Sequence, residues 1–520
     1  MVIGLLRTQT PTFFTKCEGI TASYVWFSTH LGAGMGPLEV RYTLGVDGLN
    51  GALVLLAAVV FAMGLSLMCP VRDRLGKGFL VGYMFINTFT MGSLMALDFL
   101  CFYVFFEGLL LPVFLCLHFF GGLNRSRAAV QFLAWNLSAS VPLLTVVLGL
   151  GLSVYDPVAT SKNIAESSAG VNVALNEKQV QEGIRKGQIP LDVAVRSFNL
   201  EAAANAHNFL PNGMLDSNLE SRACWRQAAF WLLVIVFCVK LAAFPLHLWL
   251  PDAHVQAPTP LSIVLAGIVL KIGGYGLLRT AYSIFPQEGL SYSGAVGLAG
   301  STGMLYASLN ALKCKDFKRM IAYTSVSAMG AVLMGIAACT PESLLGAVYQ
   351  MVAHGATVTA LFLLSHVWEG RTQTRNLYQY SHVLSTMPRY KGCMLLGLIL
   401  AAGLPGSAGF VSKVFTMLGV LQCASTPVLN WTVGVGMCGY LLTAGCYIRM
   451  LQKIWTTRPL SGTALPAPPP ADISYGECFP VLLMLILVVW LGIWPRPFLE
   501  LTSQAVALIA SRVHGVQTAS

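Results

Sequence analysis

The chain has 520 residues, 55% of them hydrophobic and only 10% charged, with a mean hydropathy of +0.67. A soluble domain carries roughly 25% charged residues, so this composition excludes a soluble globule. The formal net charge of +10 does not point to nucleic acid, because Lys and Arg occur as singles and short clusters between apolar runs, such as Arg72, Arg74 and Lys77. Such charge orients helices in a bilayer.

Thirteen cysteines are scattered without a CxxC pair, which supports neither a disulfide framework nor a zinc or iron-sulfur site. They are expected to be small core residues. The first 27 residues lack the pattern of a cleaved secretory signal.

In chain order, residues 1–49 form an N-terminal segment, with one weakly apolar candidate helix at 12–34. Apolar windows then predict spans near 50–69, 79–97, 99–120 and 128–153. Each is about long enough to cross a ~30 Å hydrocarbon core as a helix that satisfies its own backbone. Residues 155–226, including NEKQVQEGIRKGQ, turn polar and are expected to be an extramembrane insertion. A second block of spans is predicted near 227–248, 258–281, 293–312, 319–339, 343–368, 391–421 and 428–454. A Pro-rich linker at 456–476 leads to a last span near 477–495 and an amphipathic tail at 498–511. The fold class is therefore an all-α polytopic membrane protein with about twelve spans.

Two of these helices are expected to be broken. Pro245 follows Lys240 by five residues in VKLAAFPLHLWLPDAH, and Pro405 and Gly406 interrupt the run that carries Lys413. Unwound backbone survives at membrane depth only where it is buried in protein or lines a wet cavity. Paired broken helices with nearby charges point to an inverted-repeat transport site.

Four ionisable residues fall well inside the predicted spans: Glu107, Lys240, Lys271 and Lys413. Each costs about 2.5 to 3.5 kcal/mol at a helix centre. Snorkelling to the headgroups, or a fixed ion pair, is the alternative to function for each. Lys271 has about a dozen helical residues on either side, too many for snorkelling. An acid and a lysine on different helices hold each other charged, whereas burial favours the neutral amine, so these groups can lend and reclaim a proton. His247, His254 and His354 are candidates to join them, although a lone histidine is more often a satisfied core residue. No Walker loop, HExxH or GxSxG elbow is present, and GGYG at 273–276 reads as close helix packing.

The segment KLAAFPLHLWLPDAHVQAPTPLSIVLAGIVLKIGGYGLLR, 240–279, resembles the signature of the antiporter-like membrane subunits of respiratory complex I, the proton-pumping NADH:ubiquinone oxidoreductase. GVDGLNG (45–51), FYVFFEGLLLPVF (102–114), DFKRMIAYTSVSAMG (316–330), MVAHGATVTALFLLSHVWEGRTQTR (351–375), GLPGSAGFVSKVF (403–415) and DISYGECFPVLL (472–483) fit the same family in order. The resemblance covers residues 42–500 apart from 155–226. It implies up to fourteen helices in two inverted five-helix repeats, and a hydrophilic axis along the membrane midplane. It also implies that Glu107 pairs with Lys240, that Lys271 is the central lysine, and that His247, His354 and Lys413 continue a proton relay. No cofactor is implied on this chain; flavin, iron-sulfur clusters and ubiquinone belong elsewhere in such a complex. The implied partners are other membrane-arm subunits and lipids, with no nucleic acid, in the mitochondrial inner membrane or a bacterial plasma membrane.

The sequence departs from the family at Lys413, where Glu is usual, at Gln256 for Glu, and at Ala328 for His. The 155–226 segment is foreign to the pattern, and the usual first two helices look shortened or lost. These departures keep two alternatives open: a subunit of a multisubunit cation/proton antiporter or membrane hydrogenase, and a scaffold that has lost transport.

Overall fold

A computed structural model describes residues 21–30, 32, 35–68, 72–167, 175–211, 213–216, 222–376, 384, 386–423, 427–456 and 470–515. Most of the Pro-rich linker and residues 1–20 lie outside the described residues. The candidate helix at 12–34 is not found in the part that is described. Ala22–His30 (β1) instead forms an antiparallel hairpin with Pro37–Leu44 (β2), and Arg196–Ser197 (β3) adds to β2 in parallel. The run SYVWFST is rich in β-branched and aromatic residues, which favour an extended chain over a weakly apolar helix.

All twelve expected spans coincide with helices. In order these are Gly51–Ser66 (α1), Gly76–Met95 (α2), Phe99–Phe120 (α3) and Arg125–Ser153 (α4), followed by two short helices of the polar segment, Pro157–Ser167 (α5) and Glu177–Arg185 (α6). The second block runs Ala223–Leu241 (α7), Trp249–Gln256 (α8), Thr259–Tyr282 (α9), Pro286–Ser291 (α10), Ser293–Lys313 (α11), Phe317–Ala338 (α12) and Pro341–Thr372 (α13). It continues with Pro388–Ala402 (α14), Ala408–Gln422 (α15), Pro427–Thr456 (α16), Tyr475–Ile493 (α17) and Arg496–Gly515 (α18). Among the described residues, nine helices are long and apolar enough to cross a membrane, and α1 and α15 are shorter apolar helices.

Polar side chains at the helix starts hold the free amides there. Asp98 accepts from Leu100 N and Cys101 N at the head of α3, Asp316 from Arg319 N at α12, and Ser407 from Phe410 N at α15. Helix α9 is buried along its whole length and α12 and α13 nearly so, whereas about two-thirds of α17 faces outward. The core is thus α9, α12 and α13, with the other spans around it. Gly273 lets α9 approach α7 closely: a Cβ there would lie 2.6 Å from Leu241 N and 2.7 Å from Phe237 O.

The described part of the polar segment is folded. Tyr155, Val180, Ile184, Ala194 and Leu210 form a small core of their own. Strand-like bridges Leu44–Ala96, Asp98–Asn199 and Val154–Phe209 seat it, with the hairpin, across the end of α2, the start of α3 and the end of α4. The opposite face is tied together by Gly122 N to Gln256 O, Phe317 N to Arg375 O, and Arg389 N to Asp472.

Two ion pairs missed by the sequence reading are buried near the polar segment. Arg279, inside α9 and fully buried, meets Asp47 at 2.7 Å and Tyr275 Oη at 2.8 Å. Arg226 meets Glu288 at 2.8 Å and also donates to Leu215 O. Removing one partner of a buried pair strands the other charge. Asp47→Ala is therefore expected to destabilise the chain by about 3–5 kcal/mol, seen as lower thermal stability or lost assembly in detergent. A second prediction concerns Asp472. Burial raises its pKa, but hydrogen bonds from the Arg389, Tyr390 and Ile473 amides and the charge of Arg389 together outweigh this and hold it below the ordinary carboxylate value. A lowered carboxylate pKa stabilises the fold above the unfolded-state pKa and loses that contribution as pH falls through the folded value. Protection of the Arg389 and Tyr390 amides in hydrogen exchange, corrected for intrinsic rates, is expected to fall over that acid range and to be insensitive to it in Asp472→Asn.

Candidate proton-relay axis

Each of the three lysines sits where helix hydrogen bonding is interrupted. Helix α7 ends at Leu241, and Ala242 takes a left-handed conformation with φ 54°. The break therefore comes three residues before Pro245. Its released carbonyls are taken up by Ala242 N to Val239 O, Ala243 N to Cys238 O, and the Trp249 indole to Val239 O. Lys240 lies in the last turn of α7, at the negative end of the helix dipole. It is almost fully buried, its Nζ makes no hydrogen bond among the described residues, and it stands 4.7 Å above the Phe106 ring.

Lys271 is fully buried in α9. The stretch Leu265–Val269 is wound as a π-helix, and Lys271 Nζ donates to Ala266 O within it. Its Nζ also lies 2.9 Å from His354 Nδ1 on α13. Lys413, on α15, donates at 3.0 Å to Ala402 O, the last carbonyl of α14, and stands 5.2 Å over the Tyr440 ring. The second break lies between Ala402 and Ala408, with Gly403 at φ 77° and Gly406 at φ 90°. A Cβ on Gly403 would collide with the Lys413 ammonium.

Glu107 is half-buried on α3 and accepts a short hydrogen bond from Ser140 on α4. The expected pairing with Lys240 is not a contact ion pair, since Glu107 has no cation within 4 Å among the described residues. The Phe106 ring occupies the space beside the ammonium, and the two charges interact only through space. His247 is buried between Phe244 and Tyr306, ring centroids 5.8 and 5.2 Å away. His254 is fully buried, stacked on Phe362 at 5.1 Å, with neither ring nitrogen hydrogen-bonded among the described residues.

The structure thus joins Lys271 directly to His354, and leaves Glu107, Lys240 and His247 near one another's helices without direct hydrogen bonds. Glu107 and Lys413, at the two ends, are partly exposed, whereas Lys240 and Lys271 are sealed inside. Gln256 accepts from Gly122 N through its backbone carbonyl and from Asn124 N through its side chain, so the neutral amide holds the turn between α3 and α4. A further cluster, Lys318 with Glu369 at 2.8 Å and Glu369 with Arg375 at 2.9 Å, escaped the sequence reading. Lys318 stands at the very start of its predicted span, where a lysine ordinarily reads as loop charge.

A family profile described as "NADH:quinone oxidoreductase/Mrp antiporter, TM" matches residues 205–443, which include Lys240, Lys271, His354 and Lys413. The chain is 29% identical over 477 residues to NADH-quinone oxidoreductase subunit M of Rhodobacter capsulatus, covering 92% of this chain and 83% of that one. Its fold is similar to a chain of respiratory complex I from Thermus thermophilus, with TM-score 0.73 and 24% identity over 94% of this chain and 89% of the other. It is also similar to a chain of the Mrp complex from Dietzia, with TM-score 0.70 and 18% identity over 96% and 89%. Sequence and fold agree: residues 205–443 belong to the NADH:quinone oxidoreductase/Mrp antiporter family of membrane proteins, and the chain is subunit M-like.

Proposed function

We propose that the chain is a proton-translocating antiporter-like subunit of respiratory complex I, in which Glu107, Lys240, Lys271, His247, His354 and Lys413 form a relay across the membrane midplane. The observation that carries this reading is the buried contact between Lys271 and His354, 2.9 Å apart with no acid beside them among the described residues. One proton shared between two bases is favourable, whereas two charged cations at that distance repel each other in a medium of low dielectric. The pair therefore holds a proton that is readily given up. Moving one charge against 100 mV takes about 2.3 kcal/mol, close to the cost of one buried ionised side chain, so a change of protonation here is on the scale needed to drive transport.

The partners in this reading are the other membrane-arm subunits. The partly exposed ends of the relay, Glu107 and Lys413, are the members through which a neighbour's charge could act. Redox groups are assigned to other subunits, and this chain supplies no redox chemistry of its own. Orientation follows from loop charge. Lys313, Lys315, Arg319, Arg375, Arg389 and Lys391 gather on the face opposite the polar segment, which supports an orientation with that face toward the cytoplasm or matrix. The low charge content and thirteen membrane-embedded or scattered cysteines favour the mitochondrial inner membrane over a bacterial plasma membrane.

The similarity to the Mrp complex chain favours one second reading, a subunit of a cation/proton antiporter. Copurification with flavin and iron-sulfur proteins that oxidise NADH supports the first reading. Sodium-dependent proton exchange without NADH oxidation supports the second. Under the first, Lys271→Met in an assembled complex is expected to abolish NADH-driven proton translocation, measured as acidification of vesicles per NADH oxidised. Unchanged translocation would favour a scaffold. Gly403→Ala, which displaces the Lys413 ammonium, is expected to slow translocation by about the tenfold that corresponds to a 1.4 kcal/mol disturbance, with normal assembly.

A further inference from the structure

Cys393 and Cys478 belong to helices far apart in sequence, yet their sulfurs stand 3.9 Å apart in hydrogen-bond contact, and both are free thiols. Cys393 is buried near the start of α14, whereas Cys478, near the start of α17, keeps partial access. Contacts that involve neither sulfur hold these two helix starts together. Asp472 accepts from Arg389 N at 2.9 Å and from Tyr390 N at 3.0 Å, and the Arg389 guanidinium lies 4.6 Å over the Tyr475 ring. Arg371, at the end of α13, donates to Ala471 O and to Glu477. Tyr475 and Phe479, which flank Cys478 on α17, are exposed, as aromatic side chains at a membrane–water boundary are. Cys478 therefore sits at the depth of the interfacial layer, within reach of solutes from the water and from the lipid.

We propose that Cys393 and Cys478 form a modification site, a dithiol that hydroperoxides oxidise to a disulfide, reversibly stapling the start of α14 to the start of α17. The partly exposed Cys478 reacts first. Its sulfur attacks the outer peroxide oxygen, the O–O bond breaks, and the thiol proton passes to the departing oxygen. This leaves a sulfenic acid on Cys478 and an alcohol, or water where the oxidant is hydrogen peroxide. The Cys393 sulfur then attacks the Cys478 sulfur, and its proton leaves with the sulfenic hydroxyl as water. Two thiols lose two electrons in all, and the peroxide gains them. The gap from 3.9 Å to a bond of about 2 Å is small enough for side-chain rotation to close. Exchange with a small dithiol reverses the step, returning both thiols and leaving that reagent as its own disulfide.

The test uses the assembled complex in lipid vesicles, first reduced, then exposed either to hydrogen peroxide in the water or to a phospholipid hydroperoxide in the bilayer. The protein is then denatured, alkylated and digested. The expected result is loss of alkylation at both cysteines together, with a peptide linking residues 393 and 478 that a reducing dithiol releases. The arm that yields it identifies the source of the oxidant. In Cys393→Ser, the sulfenic-acid probe dimedone is expected to label Cys478; in Cys478→Ser, Cys393 is expected to stay open to alkylation. The Arg389 and Tyr390 amides, beside the staple, are expected to exchange more slowly in the oxidised complex than in the reduced one. If both thiols stay separately alkylated after either oxidant, or pair with other cysteines, the site is overturned. If the disulfide forms while those amides exchange as before, the stapling of the two helix starts is overturned.

Discussion

An ammonium group in an apolar interior needs oxygen acceptors, and a regular helix has no backbone carbonyl to spare. That constraint organises this molecule. At Lys240 the helix ends one residue later; at Lys413 the acceptor is the terminal carbonyl of the preceding broken helix; at Lys271 a π-wound stretch exposes Ala266 O. Burying each charge costs about 2.5 to 3.5 kcal/mol. A charge-assisted hydrogen bond returns about 1.5 to 3 kcal/mol, and a helix C-terminus or an aromatic face up to about 2 more in a desolvated site. The balance is near zero for Lys271 and Lys413, whereas Lys240, without a hydrogen bond among the described residues, is offset by the helix end and the Phe106 face alone. An amine so poised changes protonation at little cost, which a tightly salt-bridged one could not.

The same logic explains why the buried arginines behave differently. Arg279 and Arg226 are locked to Asp47 and Glu288, and their guanidinium groups stay charged under all ordinary conditions. They pin α9, α7 and α10 to the loops at the face of the polar segment. Lys240, Lys271 and Lys413 have no such acid in contact among the described residues. Fixed pairs hold the frame while unpaired amines sit along its axis.

The spans were legible because twenty apolar residues bounded by charge have one stable form in a bilayer. Both helix breaks were legible from Pro245 and from Pro405–Gly406, although the first occurs at Ala242, where a left-handed residue, rather than the proline, ends the helix. The π-wound stretch in α9 was not legible: LAGIV has no residue that forbids an ordinary helix, and the irregularity comes from tertiary packing. The hairpin was hidden because nine exposed residues of β1 carry no buried face to impose a period. Of the proposed relay, residue types and depth were readable, and so was the likeness that named them. The direct contact of Lys271 with His354, the separation of Glu107 from Lys240 and the approach of the Cys393 and Cys478 thiols depend on side-chain directions that spacing alone leaves open.

The measurement that bears most directly on this account is a high-resolution density map of the assembled complex in lipid, examined for ordered water along the line from Glu107 to Lys413. Continuous hydration joining Glu107 to Lys240, and Lys271 with His354 to Lys413, is the predicted result. Dry, packed gaps on that line, with the amines fixed to carbonyls and no solvent between them, would contradict it.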